Sequence, residues 1–261
     1  MQSYDDILRG VTDVAAQAAE TLVRMQAAPR DVARKELRDV VTDADLASER
    51  VVLDGIRCLT PAAAILSEEA GASGDGADER WIVDPLDGTV NYAAGLPWFS
   101  VTMAYQRGGE TRVGIVHAPA AGLIATYAEG AGAWVNGRRA RTSDTRSLSD
   151  AVVSVVLTSH FSPDEVARTA AAIQRLGECT RGVRVIVSGG LEMCLVANAQ
   201  LDAFVSLKAD IVSHAAAMPL LRAAGGRVTH LDGTDAGDDS EIRVASNGHL
   251  HEELLAALRT I

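Results

Sequence analysis

The chain has 261 residues, of which 48% are hydrophobic, and a formal net charge of −11 at pH 7. This length and apolar content are enough to bury a core as one large domain or as two closely packed halves. The acidic excess argues against non-specific binding to nucleic acid or to an anionic membrane, although metal ions can still carry positive charge to a phosphate. Cys58, Cys179 and Cys194 are too widely spaced for a disulfide framework or a metal motif, which predicts a reducing, cytoplasmic location. No apolar run approaches the length needed to cross a bilayer.

Two helices are predicted ahead of the first long strand. Apolar residues recur at helical spacing from about Tyr4 to Gln26, as in an amphipathic helix. Thr42 is suited to cap a second helix that runs to Leu59. Asp45 falls in the first turn of that helix, where a carboxylate on its own suits the helix end.

The stretch WIVDPLDGTVNY combines a buried strand, a turn and the start of a helix. Its apolar run ends at Asp84, and Pro85 is expected to take the chain out of the strand through a stiff turn that leads to Asp87. Gly88 and Thr89 are predicted to open a helix whose free amides can point at an anion. By itself, this pair of aspartates is more typical of a turn former and a helix cap than of a metal site.

A second acidic strand end favours a functional interpretation. The apolar run from Ile65 to Ser67 is followed by Glu68 and Glu69, ahead of the glycine-rich segment GASGDGAD. That segment does not match the GxGxxG signature of dinucleotide-binding folds. Two strand ends that both present acids imply a shared acidic site at the carboxyl edge of a sheet, and oxygen ligands of this kind suit Mg²⁺.

The remainder of the chain predicts a strand meander followed by an α/β portion. Strands separated by glycine-containing turns are predicted at Phe99–Tyr105, Val113–His117, Leu123–Tyr127 and Gly132–Val135. Further strands are predicted at Ala151–Leu157, Val183–Val187 and Ala203–Leu207, and helices at Pro163–Leu176, Gly190–Asn198 and Ala215–Ala224. Five histidines without ligand spacing are interpreted as surface or strand-end residues, namely His117, His160, His230, His249 and His251.

Taken together, these motifs resemble the signatures of the inositol monophosphatase family, the Mg²⁺-dependent, lithium-sensitive sugar-phosphate phosphatases. The resemblance rests on VTDAD, SEE and DPLDGTVNY, and it continues through GAWVNGRRARTS, CLVANAQLDAF, AAAMPLLRAAGGRVTHLDG and ASNGHLHEELLAAL over nearly the whole chain. It implies an α+β and α/β architecture, a five-layer αβαβα sandwich. Residues 1–145 would form an α+β half that carries the metal and phosphate site, and residues 146–261 an α/β half that completes the pocket. Family members commonly form homodimers, so a homodimer is expected here.

The resemblance also implies a reaction and a set of residue roles. The reaction is hydrolysis of a small phosphate monoester of a sugar, a cyclitol or a related metabolite, with two Mg²⁺ sites and a metal-activated water. The implied metal ligands are Glu68, Asp84, the carbonyl oxygen of Leu86, and Asp87. The implied catalytic residues are Glu68, Thr89, which would orient the attacking water, and Asp45. The implied substrate contacts are Asp87, Gly88, Thr89, Ser188, Gly189, Ser206 and His214.

Position 213 departs from the family pattern, which carries the aspartate of a Trp-Asp pair there. Ser213 offers only a neutral hydroxyl, so the second metal site is expected to be weakened unless Ser213 itself or Asp210, about one helical turn earlier, supplies the missing ligand. His214 is a phosphate contact, an acid or an exposed helix residue. Ser206 stands where inositol-handling relatives often carry an acid, which argues against inositol 1-phosphate as the substrate. The alternative function is a repurposed member that binds a phosphorylated ligand or catalyses non-hydrolytic chemistry.

Overall fold

The computed structural model describes residues 2–27, 32–34, 40–74, 78–158, 160–208, 210–237 and 243–259. Helix α1 spans Tyr4–Gln26, as its periodicity predicts, and the Ser3 side chain caps it by accepting the amide of Asp6. The short strands β1, Val32–Arg34, and β2, Val40–Thr42, pair antiparallel ahead of helix α2, Asp43–Leu59. None of the helices in these ranges is long and apolar enough to cross a membrane.

An eight-stranded sheet follows, together with one short helix, and the predicted meander forms most of it. Its strands are β3 Ala64–Ser67, β4 Gly71–Ser73, β5 Glu79–Asp87, β6 Ser100–Arg107, β7 Glu110–Ala118, β8 Leu123–Ala128, β9 Gly132–Val135 and β10 Arg138–Arg139, with α3 Thr89–Ala93 after β5. The order is β10-β9-β8-β7-β6-β5-β3-β4. Strands β3 and β5 are parallel, so their carboxyl ends reach the same edge of the sheet. The first three residues of the glycine-rich segment form β4, which pairs with β3.

A five-stranded sheet, ordered β12-β11-β13-β15-β14, accounts for the second half of the chain. Its strands are β11 Val152–Val155, β12 Gly182–Arg184, β13 Ala203–Ser206, β14 Arg227–Thr229 and β15 Arg243–Ser246. Its helices are α4 Pro163–Cys179, α5 Gly189–Ala197, α6 Ile211–His214, α7 Ala217–Ala223 and α8 His251–Leu258, and a 3₁₀ turn at Leu148–Asp150 precedes β11.

The helices and sheets form five layers, as the family fold implies, and three apolar cores hold these layers together. Helices α1 and α2 pack on one face of the large sheet around buried residues such as Leu22 and Trp81. Helices α5 and α7 fill the space between the two sheets, with Met193 and Leu220 among their buried residues. Helices α4 and α8 cover the outer face of the small sheet.

Several predictions for the second half were wrong in extent. The strand predicted at Val183–Val187 is β12, which ends at Arg184, and Val187 has a φ of 63°, which no β-strand accommodates. The helix predicted at Ala215–Ala224 is α7, Ala217–Ala223, and the short helix α6 ahead of it was not predicted. Strands β14 and β15 and helix α8 were not predicted. His251 is not a surface residue: it is fully buried, between the hydroxyls of Thr229 at 2.9 Å and Ser246 at 2.8 Å.

Candidate active site

A cleft of about 440 Å³ opens at the carboxyl ends of β3, β5, β11 and β13. Its acidic wall consists of Glu68, Glu69, Asp84, Asp87 and Asp210. Its apolar lining consists of Val156, Leu157, Phe161 and Val187. Lys208 also lines the cleft, next to Phe161 and the carbonyl oxygen of His160. The two strand ends that were predicted to share an acidic site therefore do meet.

The sequence suggested that strand β5 ends at Pro85, and this prediction was wrong. The strand continues to Asp87, pairing Asp84 with Thr102 and Asp87 with Ser100, and the register shifts between the two aspartates. A proline is tolerated at such a bulge because no ladder hydrogen bond is needed from its nitrogen. The bulge keeps both aspartates in one rigid strand, and the Leu86 amide donates to Asp84 Oδ1 at 3.0 Å.

The chain then turns sharply at Gly88, which precedes α3. Its φ is 92°, and a Cβ added here would lie 2.7 Å from the carbonyl oxygen of Trp98. Both the backbone angle and the lack of space require glycine. This turn delivers Thr89, the first residue of α3, next to the bulge.

Glu68 and Asp84 are neighbouring acids whose pKa values are both raised. Asp84 is almost fully buried, and burial, followed by the charge of Glu68, raises the pKa of Asp84 well above its usual range. Burial within the acidic wall also raises the pKa of Glu68 to about 7, although this side chain is open to the cleft, and Asp210, Glu69 and Asp87 add to the rise. The contact with Asp84 partly offsets the rise for Glu68. Both carboxyls therefore hold a proton more readily than an acid in water does.

Asp87 is held by four donors. The hydroxyls of Ser100, at 2.9 Å, and Ser188, at 2.7 Å, donate to Oδ2, as does the amide of Gly190 at 3.0 Å. The Gly189 amide donates to Oδ1 at 3.2 Å. Burial nevertheless raises the pKa of Asp87 to about 6. Ser188 uses its hydroxyl on Asp87 and does not line the cleft, so its position does not support the predicted substrate contact.

Ser213 joins two acids across the site. Its hydroxyl lies 2.7 Å from Asp84 Oδ2 and 2.7 Å from Asp210 Oδ2, and its amide donates to Asp210 Oδ1 at 3.2 Å. A serine hydroxyl carries one proton, so it can donate to only one of the two carboxyls. The other contact needs a proton on a carboxyl group, which the raised pKa of Asp84 permits. Asp210 and Ser213, which the sequence left as alternative metal ligands, are thus hydrogen-bonded to each other, and a metal-binding role of either stays a prediction.

Thr89 and Asp45 are in direct contact. The Thr89 hydroxyl lies 3.0 Å from Asp45 Oδ1 and 3.0 Å from the Leu86 carbonyl oxygen. Asp45 Oδ2 accepts the amide and the hydroxyl of Thr42 in a capping box. Burial raises the pKa of Asp45. Asp45 therefore caps α2, as expected of a carboxylate at the helix end, and it also contacts Thr89, while its catalytic role stays a prediction.

His214 is buried, so its interpretation as an exposed helix residue was wrong. Its Nδ1 lies 3.1 Å from the guanidinium of Arg243, and its ring meets Phe204 edge-to-face at 5.4 Å. Burial, reinforced by Arg243, lowers the pKa of His214 to about 3, so the ring is neutral and cannot donate as a cationic acid. Ser206 lines the cleft, but its hydroxyl donates to the Lys208 carbonyl oxygen at 2.6 Å.

Several residues that shape the site were not predicted from the sequence. They are Ser100, Glu192, Lys208, Phe161 and Arg243. One of them had a signal: Glu192 is the single acid in the apolar helix GLEMCLVA, and a charge at such a position is rarely buried without a partner. The others lie in segments whose local pattern resembles any strand or loop.

The donor chemistry of the acidic wall suits a hard divalent cation. All the candidate ligands are oxygens. Burial raises the pKa of Glu68, Asp84 and Asp87, and the charge of neighbouring carboxyls, Asp210 among them, raises it further. As they stand, no three His, Cys, Asp or Glu side chains within the described ranges are arranged to hold a metal ion. The Ser213 hydroxyl instead joins Asp84 to Asp210.

Comparison with known proteins identifies the fold and the family. The profile of the inositol monophosphatase family matches residues 3–261. The chain is 35% identical over 224 residues to the fructose-1,6-bisphosphatase/inositol-1-monophosphatase of Thermotoga maritima, covering 86% of this chain and 84% of that protein. It is 34% identical over 226 residues to the Nus factor SuhB of Pasteurella multocida, covering 85% and 83%.

Solved structures agree with these sequence matches. The crystal structure of the extragenic suppressor protein SuhB from Bartonella henselae superposes with a TM-score of 0.91 at 28% identity, covering 97% of this chain and 98% of that one. An inositol monophosphatase of Thermotoga maritima superposes with a TM-score of 0.89 at 32% identity, covering 98% and 97%. The chain therefore belongs to the inositol monophosphatase family.

Proposed function

We propose that the protein is a Mg²⁺-dependent phosphatase that hydrolyses a small phosphate monoester of a sugar, a cyclitol or a related metabolite. The observation that carries the proposal is the acidic wall, in which Glu68, Asp84 and Asp87 line one cleft and each has a pKa that is raised by burial and by neighbouring carboxyls. A structural protein gains nothing from such a cluster, since like charges that converge in a cleft destabilise the fold. The cluster is useful when a cation neutralises it.

In this proposal Glu68, Asp84 and the carbonyl oxygen of Leu86 hold one Mg²⁺, and Asp84 and Asp87 hold a second. Bound there, Mg²⁺ would neutralise charge on the phosphoryl oxygens and lower the pKa of a water. The four donors to Asp87 fix its orientation before a ligand arrives. The amides of Gly88 and Thr89 would contact the phosphate, beside the acidic wall.

Thr89 and Asp45 would orient the attacking water. The Thr89 hydroxyl donates to Asp45 Oδ1 or to the Leu86 carbonyl, each 3.0 Å away. Either choice leaves a lone pair of the hydroxyl oxygen free to accept a hydrogen bond from water. In the reaction the water oxygen bonds to phosphorus, the bond from phosphorus to the ester oxygen breaks, and the proton that the water loses ends on the leaving oxygen. Neutral His214 and Gly189 line the same cleft and complete its substrate side.

Two relatives' names support the reaction class, since one is called a fructose-1,6-bisphosphatase/inositol-1-monophosphatase and another an inositol-1-monophosphatase. The substrate wall of this chain favours a less polyhydroxylated leaving group than inositol. Ser206 directs its hydroxyl to a backbone carbonyl, and Leu157 and Phe161 offer apolar surface in place of hydrogen-bonding acids.

The test is release of inorganic phosphate from a panel of sugar, cyclitol and nucleoside monophosphates, titrated with Mg²⁺. We expect one class to be turned over with saturation in Mg²⁺, and Asp84→Asn to lose at least about 100-fold in rate because the shared ligand loses its charge. Asp54→Asn is the control, since Asp54 is an exposed aspartate on α2. Activity that survives Asp84→Asn unchanged would refute the proposal.

The bridge made by Ser213 favours a second candidate, a protein that binds a phosphorylated ligand without cleaving it. The Ser213 hydroxyl bridges Asp84 and Asp210, and in this way it can complete one cation site. Because a hydroxyl is neutral, the second cation site, next to the ester oxygen, would lack a charged ligand at position 213. Some relatives bear the name Nus factor SuhB rather than that of an enzyme. Calorimetry would decide: Mg²⁺-dependent binding of a phosphate monoester that stays intact for hours supports this candidate, and turnover excludes it.

The family resemblance also leads us to propose a cytoplasmic homodimer whose two halves, residues 1–145 and 146–261, enclose the cleft. Sedimentation of the purified chain tests the dimer directly. A monomer at micromolar concentration would refute that part of the proposal without affecting the chemistry.

A further inference from the structure

Val187 adopts a backbone conformation that its side chain disfavours. Its φ is 63°, and in the described part of the chain only Asn136 and Ala199 share a positive φ among non-glycine residues. A β-branched side chain in this region is an outlier, because its Cβ crowds the neighbouring carbonyl oxygen. Such a conformation persists only where the surrounding structure holds it in place.

One buried carboxylate holds the peptide group that follows Val187. Glu192 on α5 is fully buried, and its Oε2 accepts the amide of Ser188 at 2.9 Å. Its Oε1 accepts the hydroxyl of Ser154 on β11, which fixes the carboxylate itself. The peptide group that joins Val187 to Ser188 is therefore bound to a side chain that cannot turn freely.

A second side chain holds the carbonyl groups of the same segment. Asn91 on α3 directs Nδ2 to the carbonyl oxygens of Ile186, at 2.6 Å, and Val187, at 3.2 Å. Asn91 Nδ2 also lies 2.9 Å from the carbonyl oxygen of Trp98. Because the Ser188 amide is held from α5 and the two carbonyls that flank Val187 are held from α3, the segment is fixed from both sides.

The residues immediately after Val187 are the donors that hold Asp87. The Ser188 hydroxyl and the amides of Gly189 and Gly190 reach Asp87 at 2.7, 3.2 and 3.0 Å. There is little freedom in this approach: a Cβ at Gly190 would lie 3.2 Å from Asp87 Oδ2. A change in the Val187 backbone would therefore redirect all three donors at once.

We propose that Glu192 is a positioning residue for Asp87. By holding Val187 in the left-handed conformation, Glu192 aims the Ser188 hydroxyl and the two glycine amides at the Asp87 carboxylate and so fixes its orientation toward the cleft. The expected effect of Glu192 on catalysis rests on the proposed function, in which Asp87 is a metal ligand. The expected effect of Glu192 on the orientation of Asp87 does not depend on any activity.

Amide hydrogen exchange of the full-length, metal-free protein tests the structural part. Glu192→Gln keeps the volume of the side chain but replaces one of the two acceptor oxygens with a donor, so the Ser188 amide and the Ser154 hydroxyl compete for the single oxygen that is left. We expect the amides of Ser188, Gly189 and Gly190 to exchange at least about tenfold faster, while those of β6 keep the wild-type rates. Unchanged exchange at these three amides would overturn the proposal whether or not the protein is a phosphatase.

Rescue by glycine at position 187 tests the positioning role. Glycine adopts a positive φ without the steric cost, so Val187→Gly should make the conformation less dependent on Glu192. We expect Glu192→Gln to lower the rate of phosphate release at least about tenfold and to raise the Mg²⁺ concentration for half-activation. The double variant Glu192→Gln/Val187→Gly should recover most of that loss, a non-additive result.

The matched control is Ala199→Gly, which removes the same steric cost of a positive φ at a residue that follows α5. Ala199 is separated along the chain from the residues that donate to Asp87. This variant should leave the wild-type rate unchanged and should not rescue Glu192→Gln. Strictly additive losses in the double variant, or equal rescue by Ala199→Gly, would show that Glu192 supports the fold generally and does not position Asp87. If the wild-type protein released no phosphate, the proposed function would fail and the exchange experiment would still decide the role of Glu192.

Discussion

Replacing Ser213 with aspartate restores a carboxylate to the position where the family pattern has one, and its effect should depend on whether a divalent cation is present. In the metal-free protein, Ser213→Asp places a third negative group where a hydroxyl now lies 2.7 Å from both Asp84 and Asp210. We expect the variant to be less stable than the wild type without metal and to gain more stability from Mg²⁺.

The size of the first effect follows from two terms. Two unit charges 4 Å apart repel by about 4 kcal/mol at an effective dielectric constant near 20, and each hydrogen bond lost to a charged group contributes about 1.5–3 kcal/mol. Proton uptake limits the sum, because a carboxyl whose pKa is already raised, such as Asp84, becomes neutral instead of repelling. We therefore expect a loss of about 2–4 kcal/mol at pH 7, or about 2–4 °C in melting temperature for each kcal/mol.

The second effect is the reverse of the first. A divalent cation removes the repulsion, so Mg²⁺ should bind at least about tenfold more tightly to Ser213→Asp than to the wild type. Each tenfold increase in affinity adds about 1.4 kcal/mol of stability at saturating Mg²⁺. Melting curves in a chelator and along a Mg²⁺ series measure both effects on the same sample.

Ser213→Asn is the control, because asparagine has the shape of aspartate without its charge. The reasoning is wrong if Ser213→Asp melts like the wild type in chelator and gains no more from Mg²⁺ than Ser213→Asn does. Such a result would mean that Ser213 lies outside the cation site and that the bridge to Asp84 and Asp210 is only a structural contact.

Three further predictions follow from single features. Gly88→Ala should cost at least about 2 kcal/mol in denaturant unfolding, because alanine is strained at a φ of 92° and its Cβ would meet the Trp98 carbonyl oxygen at 2.7 Å; a loss under 0.5 kcal/mol would contradict this. Burial lowers the pKa of His251 to about 4, so between about pH 6.5 and pH 4 the unfolded state binds a proton that the folded state does not. As the pH falls through this range, the free energy of unfolding of the wild type should therefore decrease, relative to that of His251→Gln, by up to about 1.4 kcal/mol per pH unit. A stability difference between these two proteins that does not vary over this range would refute that assignment. Because the pKa of Glu68 is raised to about 7, protons compete with Mg²⁺, and the Mg²⁺ needed for half-activation should rise up to about tenfold between pH 7 and 6; a constant requirement would exclude Glu68 as a ligand.

The sequence by itself determined the features that depend on neighbouring residues. Helix α1 has the predicted bounds because its apolar residues recur at helical spacing over many turns. Thr42 and Asp45 form the predicted cap because a capping box joins residues only three positions apart. The acids at the ends of β3 and β5 meet because parallel strands bring their carboxyl ends to one edge. The family resemblance correctly extended these local features to the five-layer fold.

The tertiary structure alone decided the contacts between distant segments. Ser213 and Asp84 are 129 positions apart, and Ser188 and Asp87 are 101 apart, so no local pattern indicates that either pair is joined by a hydrogen bond. The same holds for His251, whose buried position depends on β14 and β15 packing around it. Pro85 continues a strand because a bulge against β6 absorbs it, a choice that only the partner strand can impose. Hydrogen bonding and burial across the layers, and not local propensity, thus decide which polar groups of the site have hydrogen-bond partners. They also decide which carboxyl groups have a raised pKa.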